Sequence, residues 1–135
     1  MSGNRIKGVY GEKIAAEFLE AKGWQIAALN LRLGRSEVDV VAKDGAEWVF
    51  VEVKTRMAGG EFRPEDGLTP AKLKSLFRAA DRFVEKNGLW DSVIRFDFVA
   101  VEIARDQTRV LHFPDAFRRD DTLSEPNPRA FDDNL

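Results

Sequence analysis

Along Val49-Phe50-Val51-Glu52-Val53-Lys54-Thr55-Arg56, apolar and polar side chains alternate, which is the period of a strand with one face turned to a core. Alternation puts Glu52, Lys54 and Arg56 on one face and Val49, Val51 and Val53 on the other. Upstream, Glu37-Val38-Asp39-Val40 has the same period, predicting Glu37 and Asp39 on one face and Val38 and Val40 on the other. The Asp44-Gly45 dipeptide between the two runs signals a tight turn, so the strands are expected to pair antiparallel. A slightly asymmetric hairpin then makes Asp39 and Glu52 near neighbours. Two carboxylates and an amine converge in the middle of a sheet. That grouping suits phosphodiester hydrolysis. Paired carboxylates can hold a hard divalent cation, Mg²⁺ with Mn²⁺ able to substitute, which polarises the phosphoryl oxygen and acidifies a bound water. An ammonium such as Lys54 can position that water and offset charge on the phosphate. The plain alternative is a half-exposed strand that Glu52 and Lys54 merely solvate. An isolated E-x-K favours that alternative; the upstream Asp39 improves the odds for chemistry.

The elements around this hairpin decide what else can reach it. Gly11 to Lys22 reads as a helix, with Gly11, Ile14, Ala15, Phe18 and Leu19 on one face and Gly23 closing it. Lys13, Glu17 and Glu20 point away from that face, whereas Glu12 falls on its margin and can lean over the sheet. A helix-dipole charge in the first turn explains Glu12 equally well. Trp24 to Leu33 is expected as a strand, with a turn at Gly34-Arg35-Ser36. Residues 57–68 hold three glycines and a proline and read as a mobile loop. Thr69-Pro70 opens a second helix, Thr69 as N-cap, with Leu73, Leu76, Phe77, Ala80, Phe83 and Val84 as its apolar stripe and Asn87-Gly88 as its end. Strands over residues 93–103 and 109–113 complete an order αβββαββ, a mixed sheet with helices packed on it.

The chain has 135 residues, 44% hydrophobic and 33% charged, the size and balance of one globular domain. No apolar run is long enough for a membrane span, and Met1 to Gly8 lack the apolar stretch expected of a secretory signal. The absence of cysteine excludes disulfides, thiolate metal sites and a cysteine nucleophile. A cytoplasmic location is the expectation. The net charge of −2 is uneven: residues 115–135 carry six acids against three arginines, leaving +1 on residues 1–114. That balance neither supports nor excludes a polyanionic partner. A single domain over residues 1–118 is expected, followed by a disordered acidic tail over 119–135.

The run Gly8-Val9-Tyr10-Gly11-Glu12, then Ala15-Ala16 and Phe18-Leu19, resembles the opening of the YraN family of bacterial proteins. The resemblance continues through Asn30-Leu31-Arg32, Glu37-Val38-Asp39-Val40-Val41-Ala42 and Val49-Phe50-Val51-Glu52-Val53-Lys54-Thr55-Arg56. It extends to Lys72, Ala79-Ala80 and Arg95-Phe96-Asp97-Phe98-Val99, and so covers about residues 7–103. Family members usually carry glycine before the E-x-D element, where this chain has Ser36. The family is similar to the PD-(D/E)-x-K nucleases and, in layout, to archaeal Holliday-junction resolvases. The resemblance implies an α/β restriction-endonuclease-like core, a mixed β-sheet flanked by helices. It also implies Asp39 and Glu52 as metal ligands, Lys54 as the catalytic amine and Glu12 as a helix-borne acid of the site.

Thr55 and Arg56, just past the catalytic strand, and Lys74, Arg78 and Arg82, a stripe on the second helix, are candidate nucleic-acid contacts. A solvated helix face shared with Asp81 and Glu85 is the ordinary explanation of that stripe. His112 reads as a strand-end residue, Arg95 and Asp97 as a structural pair, and Trp24, Trp48 and Trp90 as packing residues. Three hypotheses remain: a Mg²⁺-dependent endonuclease acting on DNA, including branched DNA; a non-catalytic nucleic-acid-binding module of the same fold; and a buried ion-pair network. DNA is favoured over RNA as partner, no membrane is expected, and a homodimer is compatible with the sequence.

Overall fold

The computed structural model describes residues 2–57, 59 and 68–119, with side chains from residue 8 onward. Helix α1 (Ser2–Ala21) leads into strands β1 (Gln25–Leu33), β2 (Ser36–Asp44) and β3 (Glu47–Met57). Helix α2 (Pro70–Asn87) then connects to β4 (Ile94–Ile103) and β5 (Thr108–Phe113). The five strands form one sheet in sequential order, antiparallel except for the parallel β3–β4 pair that α2 joins. This is an α/β domain with a mixed sheet and two flanking helices, consistent with a restriction-endonuclease-like core. All but Arg119 of the expected acidic tail, and most of the expected 57–68 loop, lie outside the described residues; Arg119 pairs with Asp81 of α2.

Each face of the sheet has its own core because each helix buries one apolar stripe against it. Under α2, Leu73, Leu76, Phe77 and Ala80 pack on Val38, Val41, Phe50, Phe96 and Phe98. Under α1, Ala15 and Leu19 pack on Val40, Val49, Val51, Val99 and Val101. The even-numbered positions of β3 therefore face α2 and the odd-numbered ones face α1. Its unbroken pairing with β4 from Trp48 to Met57 keeps that alternation intact. Glu52, Lys54 and Arg56 thus share the α2 face.

Helix α2 matches its sequence signals at both ends. The Thr69 hydroxyl accepts a hydrogen bond from the Lys72 N–H at 3.2 Å, Pro70 opens the first turn, and Gly88 caps the end with φ +64°. Helix α1 starts earlier than expected, at Ser2 rather than near Gly11. Its leading turns carry two glycines and no apolar stripe, so periodicity had nothing to report there. Gly11 has a different task. A Cβ at this position would lie 1.7 Å from Thr55 Oγ1, so only glycine lets α1 settle this closely on β3.

Two further expectations are corrected. Val38 and Val40 do not share a face: Val38 joins the α2-side core and Val40 the α1-side core. In β1, between the partners of Val38 and Val40, Asn30 has φ +49°, a conformation asparagine tolerates better than most residues. Trp90 is not a packing residue, being 68% exposed. Trp24 is buried, and Trp48 packs on Phe83 with ring centres 5.3 Å apart.

Candidate active site: an acidic fork between β2 and β3

The β2–β3 ladder runs in register from Asp44↔Glu47 to Val40↔Val51. One step further, Asp39 would face Glu52, so no asymmetry in the hairpin is needed to bring them together. The backbone pairing stops there, and the Asp39 side chain takes its place: Oδ2 accepts the Val53 N–H at 2.8 Å. The strands fork, and the opening is an acidic cleft of about 160 Å³ lined, among the described residues, by Glu37, Asp39, Glu52, Lys72 and Ser75.

Glu52 is buried, and Lys72 Nζ lies 2.9 Å from its Oε2. Burial pushes the Glu52 carboxyl up to about 8; the Asp39 charge adds to the rise, and Lys72 opposes it. Glu12 reaches the fork from α1. Burial raises its carboxyl to about 7, with Asp39 as the next cause, while the Asn30 side chain works in the other direction. Asp39 is therefore the hub, next to both glutamates. Lys72 is itself held above the ordinary lysine value: partial burial favours the neutral amine, but Glu52, with Asp39 and Glu37 behind it, outweighs burial.

The donors of this fork are hard carboxylate oxygens, the type that Mg²⁺ or Mn²⁺ prefers. Glu12 Oε1 is buried without a hydrogen-bond partner, an oxygen available to a cation, a bound water or a proton. Among the described residues, no group of three His, Cys, Asp or Glu side chains forms a ready-made ion cage. Two carboxylates suffice for Mg²⁺, which keeps much of its water shell. The residues present fit such an ion.

The remaining candidates fall in different places. Lys54 shares the face of Glu52 but lies beyond the residues that line the cleft. Thr55 is on the opposite face, against Gly11 of α1, and does not enter the cleft. Arg56 is paired with Glu102 of β4 at 2.5 Å. Lys74 and Arg78 are exposed on α2. Arg82 donates to the Leu33 carbonyl at 3.1 Å, tying α2 to the β1–β2 turn. Sequence reasoning gave no site role to Lys72, Ser75 or Asn30, and left Glu37 as a strand residue. One signal was available for Lys72: a cation in the first turn of a helix opposes the helix dipole, so something else must hold it there.

On the α1 face, Asp97 is fully buried yet held below the ordinary aspartate range. Burial would raise it, but bonds from His112, Arg95 and the Asp115 N–H more than offset that effect. Arg95 donates to both carboxylate oxygens at 2.9 and 3.0 Å, and His112 Nε2 lies 2.8 Å from Oδ2. This cluster ties β4 to β5. The expected structural pairing of Arg95 with Asp97 is present, and His112 belongs to the same cluster.

A restriction-endonuclease-like α/β sheet with two flanking helices and an acidic fork in its middle defines the class of protein. The chain belongs to the uncharacterised protein family UPF0102, the YraN family, whose model matches residues 11–101. A UPF0102 protein of Geobacter sulfurreducens is 41% identical over 115 residues, covering 84% of this chain and 90% of that protein. One of Anaeromyxobacter dehalogenans is 40% identical over 118 residues, covering 87% of this chain and 88% of its own. One of Oleidesulfovibrio alaskensis is 46% identical over 94 residues, covering 70% of this chain but 46% of its own greater length. Among the described residues, no helix is long and apolar enough to cross a membrane.

Proposed function

We propose that this protein is a metal-dependent endonuclease that hydrolyses phosphodiester bonds in DNA, branched DNA included. The observation that carries the reading is the juxtaposition of Asp39 and Glu52 where the β2–β3 ladder opens. Their carboxylates would hold Mg²⁺, or Mn²⁺ in its place. The bound ion supplies Lewis acidity and an acidified water. Asp39, anchored by the Val53 N–H, keeps a fixed orientation without any rearrangement of β3. Glu12, whose proton is lost near neutral pH, can take a proton from water at the edge of the fork. Lys54, on the face of Glu52, offsets charge on the phosphate. Lys74 and Arg78 give the strand a basic path along α2, sequence-independent because they meet phosphates only.

The second reading, a nucleic-acid-binding module without turnover, draws on the lack of a three-residue ion cage among the described residues. One experiment separates the two: Mn²⁺ titration paired with cleavage of duplex, single-stranded, flapped and four-way DNA, and RNA. Asp39→Ala and Glu52→Ala should lose metal affinity and lose cleavage by about 100-fold or more. Lys54→Ala should retain the metal and lose turnover by about 100-fold. If all three cut like the parent chain, the site assignment is wrong. If the parent neither binds metal nor cuts, the binding-module reading replaces it.

A further inference from the structure

The cleft already contains a cation that the reading above leaves without a role. Lys72 Nζ is 2.9 Å from Glu52 Oε2, and the two side chains differ sharply in exposure, 54% for the lysine and 5% for the glutamate. The ammonium therefore lies at the mouth of the cleft, above a buried carboxylate. Its backbone is fixed, because the Lys72 N–H is the one that Thr69 caps. Its side chain is a flexible four-carbon stem ending in a compact charge. The first turn of α2 disfavours a cation there, so the carboxylates of the fork are what hold it. A divalent cation taking those same oxygens would remove this attraction and add repulsion. The freed ammonium would remain on a short tether at the cleft mouth, where the incoming phosphate is the next anion.

We propose that Lys72 is a tethered counter-ion, neutralising the Glu52–Asp39 pair in the metal-free protein and passing to the substrate phosphate when a divalent cation takes over the carboxylates. This rests on the nuclease reading and adds a positioning residue to it. The test uses the full chain, Mn²⁺ calorimetry at constant ionic strength, and the variants Lys72→Met and Lys72→Arg. Methionine keeps an unbranched apolar stem and loses the charge, so the fold should persist; a thermal melt checks this, with Lys72→Gln as the alternative. With no ammonium to displace, Lys72→Met should bind Mn²⁺ about fivefold tighter than the parent. At saturating Mn²⁺ its KM for the DNA substrate should rise about fivefold, with kcat changed less, and Lys72→Arg should recover part of that loss. Equal or weaker Mn²⁺ binding by Lys72→Met, with binding retained in the parent, overturns the counter-ion role and leaves the nuclease reading intact. An unchanged KM overturns the transfer to phosphate. Absence of Mn²⁺ binding in both chains overturns this inference together with the site on which it rests.

Discussion

Glu12 and Glu52 both lie beside Asp39, and the protonation of the two glutamates is the chemistry most open to measurement. Glu52 and Glu12 are raised to about 8 and about 7, burial being the main cause and the Asp39 charge the next. The folded chain therefore holds protons that the unfolded chain releases at ordinary carboxylate pKa values. Stability from these groups is complete at acid pH, declines as pH passes the unfolded values, and is lost through about pH 7 to 8. The metal-free protein should melt at progressively lower temperature as pH rises from about 5 to 8, and millimolar Mg²⁺ should reverse the decline at the alkaline end. Glu52→Gln should flatten the profile and, at pH 8, raise the midpoint by a few degrees, about 1 kcal/mol. Calorimetric melts across that range check both; a parent profile that rises toward pH 8 without metal would contradict the assignment. The Asp39 carboxylate also takes the Val53 N–H, so Asp39→Asn, which keeps an acceptor, should disturb the fold less than Asp39→Ala.

Among elements, α1 is seated on the sheet by Ala15 and Leu19 and, nearer its start, by the close approach of Gly11 to Thr55. Gly11→Ala would drive a methyl to 1.7 Å from Thr55 Oγ1 and should destabilise the domain by about 1–3 kcal/mol. Combined with Thr55→Ala, it should cost less than the two changes summed. Urea denaturation of the two single variants and the double variant measures that coupling; strict additivity would mean that α1 is not seated on β3 at this point. The same elements show what was legible in the chain. Helix α2 was readable to the residue because Thr69-Pro70 and Asn87-Gly88 are local punctuation, acting through caps and dihedral limits. The pairing of β2 with β3 followed from alternation and the Asp44-Gly45 turn. The first turns of α1 were not readable, having no apolar stripe. Nor was the switch of face between Val38 and Val40 in β2, which leaves no periodic trace in the sequence. That switch puts Val38 and Val40 on opposite faces, where simple alternation puts them on one. Lys72 escaped because its role depends on α2 returning over β3, a tertiary contact between residues 20 apart in sequence.

Across the whole molecule, the two faces of the sheet divide the work. The α1 face carries the Asp97–His112–Arg95 cluster, which fastens β4 and β5, and supplies Glu12 to the edge of the fork. The α2 face carries the cleft, Lys72 and the exposed Lys74 and Arg78. This division lets the acidic centre sit beside a basic helix in a chain whose net charge is −2. The position of a bound ion decides whether the fork is a metal site, and anomalous diffraction from crystals of the full chain soaked in Mn²⁺ gives it. One strong peak is expected at about 2.0–2.4 Å from carboxylate oxygens of both Asp39 and Glu52, absent in Glu52→Gln crystals. A Mn²⁺ peak elsewhere, with the fork empty at saturating concentration, would contradict it.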